Sequence, residues 1–207
     1  MHWYILLSIA ALAICILACS FHFIRLVRAG APADFSRKAG DTARAVAYSF
    51  TGAMSPGKKE SAYLHLPTYS AGLIYHIATF LAIIIFFLQL AGIEPGVVAR
   101  YIFSALLLGG ALSGTGILVK RIASRKLRSL SCTDDYLSNI LVTLFQYATI
   151  FMLTGALPEY VYYISATVLL LYVPAGKLKH LVYFFAARYQ LGYFYGWRNS
   201  WPPSKNY

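Results

Sequence analysis

Thr68–Leu90 reads TYSAGLIYHIATFLAIIIFFLQL, a run of 23 residues without one Asp, Glu, Lys or Arg. As a helix it rises about 34 Å at 1.5 Å per residue. The hydrocarbon core of a bilayer is about 30 Å thick. The run is therefore a membrane span, and four other stretches share its character. They are about 3–23, 97–119, 136–155 and 160–185. The chain as a whole is 59% hydrophobic and only 12% charged, against about 25% charged for a soluble domain. The expected fold is all-α: a single polytopic membrane domain of five transmembrane helices spanning residues 1–207. A loop over 25–67 and a tail over 186–207 complete it. No basic n-region or small-residue cleavage site marks the first run, and Arg25 and Arg28 follow it. It reads as a retained span.

The punctuation between spans is local. Gly92-Ile93-Glu94-Pro95-Gly96 turns the chain into the third span, and Leu157-Pro158-Glu159 turns it into the fifth. Asp134 and Asp135 stand where the fourth helix should be N-capped. Pro32, Gly40, Gly52, Pro56 and Gly57 break the stretch after span one. Pro174 and Gly176 disturb the fifth helix near its end, although apolar periodicity continues to about Phe185.

Charge fixes the orientation. The loop after span one holds Arg25, Arg28, Arg37, Lys38, Arg44, Lys58 and Lys59. The loop between spans three and four holds Lys120, Arg121, Arg125, Lys126 and Arg128. The end of span five and the tail hold Lys177, Lys179, Arg188, Arg198 and Lys205, leaving only Arg100 on the other side. By the positive-inside rule the crowded side is cytoplasmic, with the N-terminus outside and the C-terminus inside. The expected location is the inner (cytoplasmic) membrane. The net charge of +11 then describes a cytoplasmic rim that meets anionic lipid or docks a partner, and not a nucleic-acid surface. Both outer loops are short, so a partner belongs on the cytoplasmic side.

Cys15, Cys19 and Cys132 have neither zinc nor iron–sulfur spacing. No Ser–His–Asp set, phosphate loop or pair of carboxylates within a span is readable. That speaks against a hydrolase or a proton pump. A small transporter would want buried acids or broken helix pairs at mid-membrane.

The histidines are left. Ionisable groups within membranes are rare and usually functional. His76 lies about 13 Å of helix beyond Pro67. His180 follows Lys177-Leu178-Lys179 on the same side, in an oppositely directed span. Two antiparallel helices with one imidazole each at similar depth suit bis-histidine ligation of a haem iron, which transfers electrons and leaves no open coordination position. Gly72 and Gly176 each precede their histidine by four residues, one helical turn. They leave room there for a flat macrocycle. Lys177, Lys179 and Arg188 are candidates to pair with haem propionates. His65 precedes His76 by 11 residues, a spacing for stacked haems, but Pro67 intervenes where a helix should start. An outer haem would need histidines near Phe86 and Tyr162, and there are none. One haem b is expected. His22 and His65 are interfacial, with quinone binding or a second haem as their alternative role.

Pro174-Ala-Gly-Lys-Leu-Lys-His180, followed by Arg188-Tyr189-Gln190, resembles the Pro-x-x-(Arg/Lys)-Leu-x-His…Arg-x-Tyr-Gln pattern of the gamma, cytochrome b, subunit of respiratory nitrate reductase. Tyr75-His76-Ile77 resembles its second-helix ligand. Met54–Ser61, Asp134–Asn139 and Gly192…Phe194-Tyr195-Gly196 are similar to relatives found with heterodisulfide-reductase-like iron–sulfur proteins. The resemblance implies a subunit, non-catalytic or quinone-reactive, of an oxidoreductase complex. It would exchange electrons between membrane quinone, such as menaquinone, and a cytoplasmic iron–sulfur partner. This chain matches the family's inner ligand pair and lacks both outer ligands. The competing expectation is a haem-free anchor whose histidines pack or bind quinone directly.

Overall fold

A computed structural model describes residues 2–29, 35–55, 57 and 65–203. Lys58, Lys59, Lys205, Pro32, Pro56 and part of the Met54–Ser61 stretch lie outside the described residues. All regular structure among the described residues is helical. The helices are α1 (Trp3–Ala29), α2 (Thr42–Phe50), α3 (Leu66–Leu90), α4 (Val97–Ala123), α5 (Arg125–Ser129), α6 (Thr133–Leu153), α7 (Glu159–Ala175) and α8 (His180–Trp197), with 3₁₀ turns at Gly52–Met54 and Lys177–Lys179. Four of them, α1, α3, α4 and α6, are long and apolar enough to cross a membrane. A fifth span exists if the broken pair Glu159–Ala175 and Lys177–Trp197 counts as one. Several such helices make this a multi-pass membrane protein by composition and length.

Three expectations need correction. The fifth span is not one helix to residue 185. Pro174 removes a backbone donor, and α7 stops at Ala175 with Gly176 extended at φ −93°, ψ −166°. The chain resumes as α8, which runs through most of what was expected to be a tail. The loop over 25–67 contains a helix, α2, capped by Asp41, whose carboxylate accepts from Ala43 N (2.9 Å) and Arg44 N (3.2 Å). Finally, neither Asp134 nor Asp135 caps α6. Cys132 occupies the N-cap, and Asp135 sits in the first turn, accepting from Cys132 N at 3.0 Å to close a capping box.

The described residues form two compact units. The first comprises α1 up to Ile16 and Leu66–Leu178. Its core follows helical spacing. α3 buries Ala78, Ala82, Ile85 and Phe86, and these meet Leu107 of α4, Phe145 of α6, and Tyr162 and Tyr163 of α7. Phe145 and Tyr162 stack at 5.8 Å. Small residues bring backbones together, as membrane helices do. Gly110 of α4 lies so close to Ala78 of α3 that a Cβ there would overlap the alanine methyl. Ser8 of α1 donates to Tyr163 O and shares a hydrogen bond with Thr167 Oγ1, both 2.9 Å.

The polar centre of this unit is Gln146, fully buried on α6. Its Nε2 donates to Thr79 Oγ1 (2.8 Å) and Tyr75 O (3.2 Å), while its Oε1 has no partner among the described residues. Tyr75 Oη donates to Asn139 O and shares a hydrogen bond with Thr143 Oγ1, both 3.1 Å. These contacts fix the rotation of α3. Thr79 Oγ1 also donates to Tyr75 O at 2.8 Å, so removing the amide orphans little. Gln146→Leu is expected to change stability by less than about 1 kcal/mol. Gln146→Glu places a carboxylate at the same depth and is expected to cost about 2.5–3.5 kcal/mol. Thermal unfolding of the two variants in detergent checks the contrast.

The second unit comprises Leu17–His65 and the chain from Lys179 onward. Here α2 packs on α8 almost backbone to backbone. A Cβ on Gly192 would lie 2.5 Å from Val46 Cα, and one on Gly196 would lie 2.6 Å from Ala45 Cβ. Ser49, fully buried, donates to Arg188 O at 2.7 Å. Trp197 Nε1 donates to Ser36 O (2.9 Å), and Gln190 Nε2 donates to Val27 O of α1 (2.9 Å).

Candidate functional site

His76 lies on the face of α3 turned away from its core. Tyr75, Ala78, Thr79 and Ala82 engage α4 and α6, so positions 73, 77 and 80 point outward, and His76 shares their side of the helix. Leu73, Ile77 and Phe80 are 51%, 60% and 54% exposed, and His76 is exposed among them. On a membrane-crossing helix that face otherwise meets lipid. An imidazole there carries a desolvation cost unless something polar engages it.

The ring is also oriented. His76 Nδ1 lies 2.8 Å from Gly72 O. A carbonyl only accepts, so Nδ1 carries the proton and Nε2 keeps its lone pair. A metal-ligating histidine needs this tautomer, with its second nitrogen held by a carbonyl or carboxylate. Gly72 therefore acts through its carbonyl. Its α-carbon faces open space, with nothing within 4 Å of where a Cβ would stand. A flat group can approach this side of α3 without displacing a side chain. The residues of α3 fit an axial haem ligand.

Gly176 does not mirror Gly72. The Tyr172 ring occupies the space its Cβ would take, and Tyr172 Oη is held by Ser138 Oγ (3.2 Å) and donates to Asp134 O (3.4 Å). Nor does the four-residue offset to His180 place the two on one helix face, because a 3₁₀ turn replaces the α-helix between them. Helix termination and the packing of Tyr172 account for Gly176 in this structure. Gly72→Ala is expected to leave folding intact or to stabilise α3 by up to about 1 kcal/mol. Gly176→Ala must move the Tyr172 ring off both partners and is expected to lower the unfolding midpoint. Calorimetry on the two variants separates them.

His180 is exposed and is the first residue of α8, in the second unit. His76 belongs to the first unit. Of the propionate candidates, Lys177 pairs with Asp135, which Arg121 Nη1 also approaches at 3.7 Å. That cluster knits α4, α6 and the turn after α7. Lys179 is half-buried. Arg188 is half-buried too, its guanidinium 5.7 Å from the centre of the Phe184 ring. His65 is exposed and immediately precedes α3, whose first turn takes Pro67, as the sequence led one to expect. His22 is half-buried on α1 beside Phe21, ring centres 6.2 Å apart. His2 stacks on Tyr4 at 5.1 Å. Among the described residues, no group of three or more His, Cys, Asp or Glu is placed to hold a metal ion. Two axial histidines are a different arrangement.

Sequence reasoning missed Gln146, Tyr75 and Thr143, the groups that set how α3 is rotated. Their signal was Asn139, Thr143 and Gln146 recurring at i, i+4 and i+7, one helix face, within a span. No family model, curated protein or solved structure matches the chain.

Proposed function

We propose that this protein is a b-type cytochrome membrane subunit that passes electrons between membrane quinone and a cytoplasmic iron–sulfur partner. His76 and His180 would hold the iron of one haem b. The single observation that carries the reading is His76. Its imidazole stands on an outward, apolar helix face, with Nδ1 tied to Gly72 O at 2.8 Å and Nε2 left as a lone-pair donor. The histidine motif ending at His180 and its likeness to nitrate reductase gamma subunits support the pairing. When bound, the haem supplies a reversible one-electron iron couple.

The chain's own residues hold and orient. The Gly72 carbonyl fixes the His76 ring, and Gln146, Thr79 and Thr143 fix the helix that carries it. Lys179 and Arg188 pair with the anionic propionates. Lys177 supports the fold by pairing with Asp135. With the N-terminus outside, the basic stretches after α1 and α4 face the cytoplasm and dock the partner. Quinone binds within the membrane region, with His22 and His65 as its candidate contacts.

A second reading, a haem-free anchor that binds quinone or only docks the partner, is favoured by one observation: Tyr172 fills the space beside Gly176. A dithionite-reduced minus air-oxidised spectrum of the purified protein separates the two. The cytochrome reading expects the sharp α and Soret bands of six-coordinate haem b. A flat difference spectrum supports the anchor.

A further inference from the structure

α8 buries one stripe, Val182, Ala186, Gly192 and Gly196, within its unit. Its opposite face carries Tyr183, Leu191 and Phe194, 40–48% exposed, with Phe184 at the edge beside Phe50 of α2, ring centres 6.4 Å apart. That face is neither an ordinary cytoplasmic surface nor a plain lipid-facing one. Two arginines lie along these rings. The Arg188 guanidinium is 5.7 Å from the Phe184 centroid, and that of Arg198 is 3.8 Å from the Phe194 centroid. Rings and hydroxyls with cations laid over them suit the boundary between acyl chains and head groups.

The depth of this helix follows from α1. At 27 residues, α1 is about 40 Å long, roughly 10 Å more than the hydrocarbon core. Its last turns carry Arg25 and Arg28, which belong at the head groups. Val27 lies between them, and its carbonyl accepts from Gln190 Nε2 at 2.9 Å. Gln190 is near the middle of α8. The middle of α8 is therefore pinned at the level where α1 leaves the bilayer. The exposed face is continuous with a membrane-crossing helix, and its charge complements anionic lipid.

We infer that the α8 face bearing Tyr183, Leu191 and Phe194, with Arg198, is seated in the lipid head-group layer and takes an anionic phospholipid surface as its partner. The segment expected to be a cytoplasmic tail is then a membrane-interface helix. α2, locked onto its other side, is what faces a docking protein. This inference rests on unit packing and does not depend on haem.

Benzoylphenylalanine replacing Phe194 in the full-length chain tests it. The chain is reconstituted in vesicles of phosphatidylcholine alone or mixed with phosphatidylglycerol, then irradiated. Lipid adducts are expected in both, with a higher yield in the mixture, and Arg198→Gln is expected to remove that gain. Covalent dimers, which would mean that a second copy covers the face, overturn the inference, as do an absence of lipid adducts or equal yields in the two vesicles. The wild-type chain gives an independent readout by hydroxyl-radical oxidation in both vesicles. Oxidation of Phe194 that is lower in the mixed vesicles than in phosphatidylcholine alone supports the inference, and equal oxidation in the two overturns it.

Discussion

His180→Ala is expected to lose the bis-histidine haem spectrum while keeping its helix content. The two halves of that result have separate causes. The imidazole is one of two axial donors in the proposed site, and the iron cannot remain six-coordinate with nitrogen on both faces without it. His180 is exposed at the first turn of α8, and the packing of its unit rests on Val182, Ala186, Gly192 and Gly196. Imidazole added to the variant should restore the low-spin spectrum, a rescue that a merely structural role would not show. His76→Ala is expected to behave alike, and the double variant to lose the haem altogether, because no axial nitrogen then remains to hold the iron. Retention of the native spectrum by His180→Ala would remove the residue from the site. Absorption spectroscopy beside far-ultraviolet circular dichroism checks both halves.

The second large effect is structural. Gly192→Leu is expected to unlock α2 from α8. Its Cβ would lie 2.5 Å from Val46 Cα and 2.9 Å from Val46 N. Those are backbone atoms, which cannot rotate aside as a side chain does. Overpacking ordinarily costs about 1–3 kcal/mol, and a backbone obstruction belongs at or above the top of that range. Gly116→Leu on α4 is the control, since nothing lies within 4 Å of its Cβ position. Thermal unfolding in detergent should show a large fall in midpoint for the first and little change for the second.

How far the sequence discloses this molecule depends on which physical signal each part uses. α3 and α4 announce themselves by length and the absence of charge, and their observed bounds lie within a few residues of the expected ones. α2 and α8 do not. They associate through Ala45, Gly192 and Gly196, where the contact is the absence of a side chain, so no hydrophobic periodicity reveals it. α8 is apolar almost all round, and composition alone cannot tell whether it continues α7 or begins anew. Pro174 and Gly176 are visible as disturbances, but the extended backbone that Gly176 adopts, which ends α7 at Ala175, is a matter of conformation and not of composition. For the candidate site, the two histidines are legible as residue types and His76 also as a position on a helix. The bond from Nδ1 to Gly72 O is a matter of rotamer, and the Gln146 contacts that hold α3 are a matter of tertiary packing.

The electron-transfer reading depends on one haem held by His76 and His180. The pyridine haemochrome assay on the purified chain, referred to polypeptide by amino-acid analysis, tests it most directly. One haem b per polypeptide is expected. Two would bring His22 or His65 into iron ligation, and none would contradict the cytochrome reading.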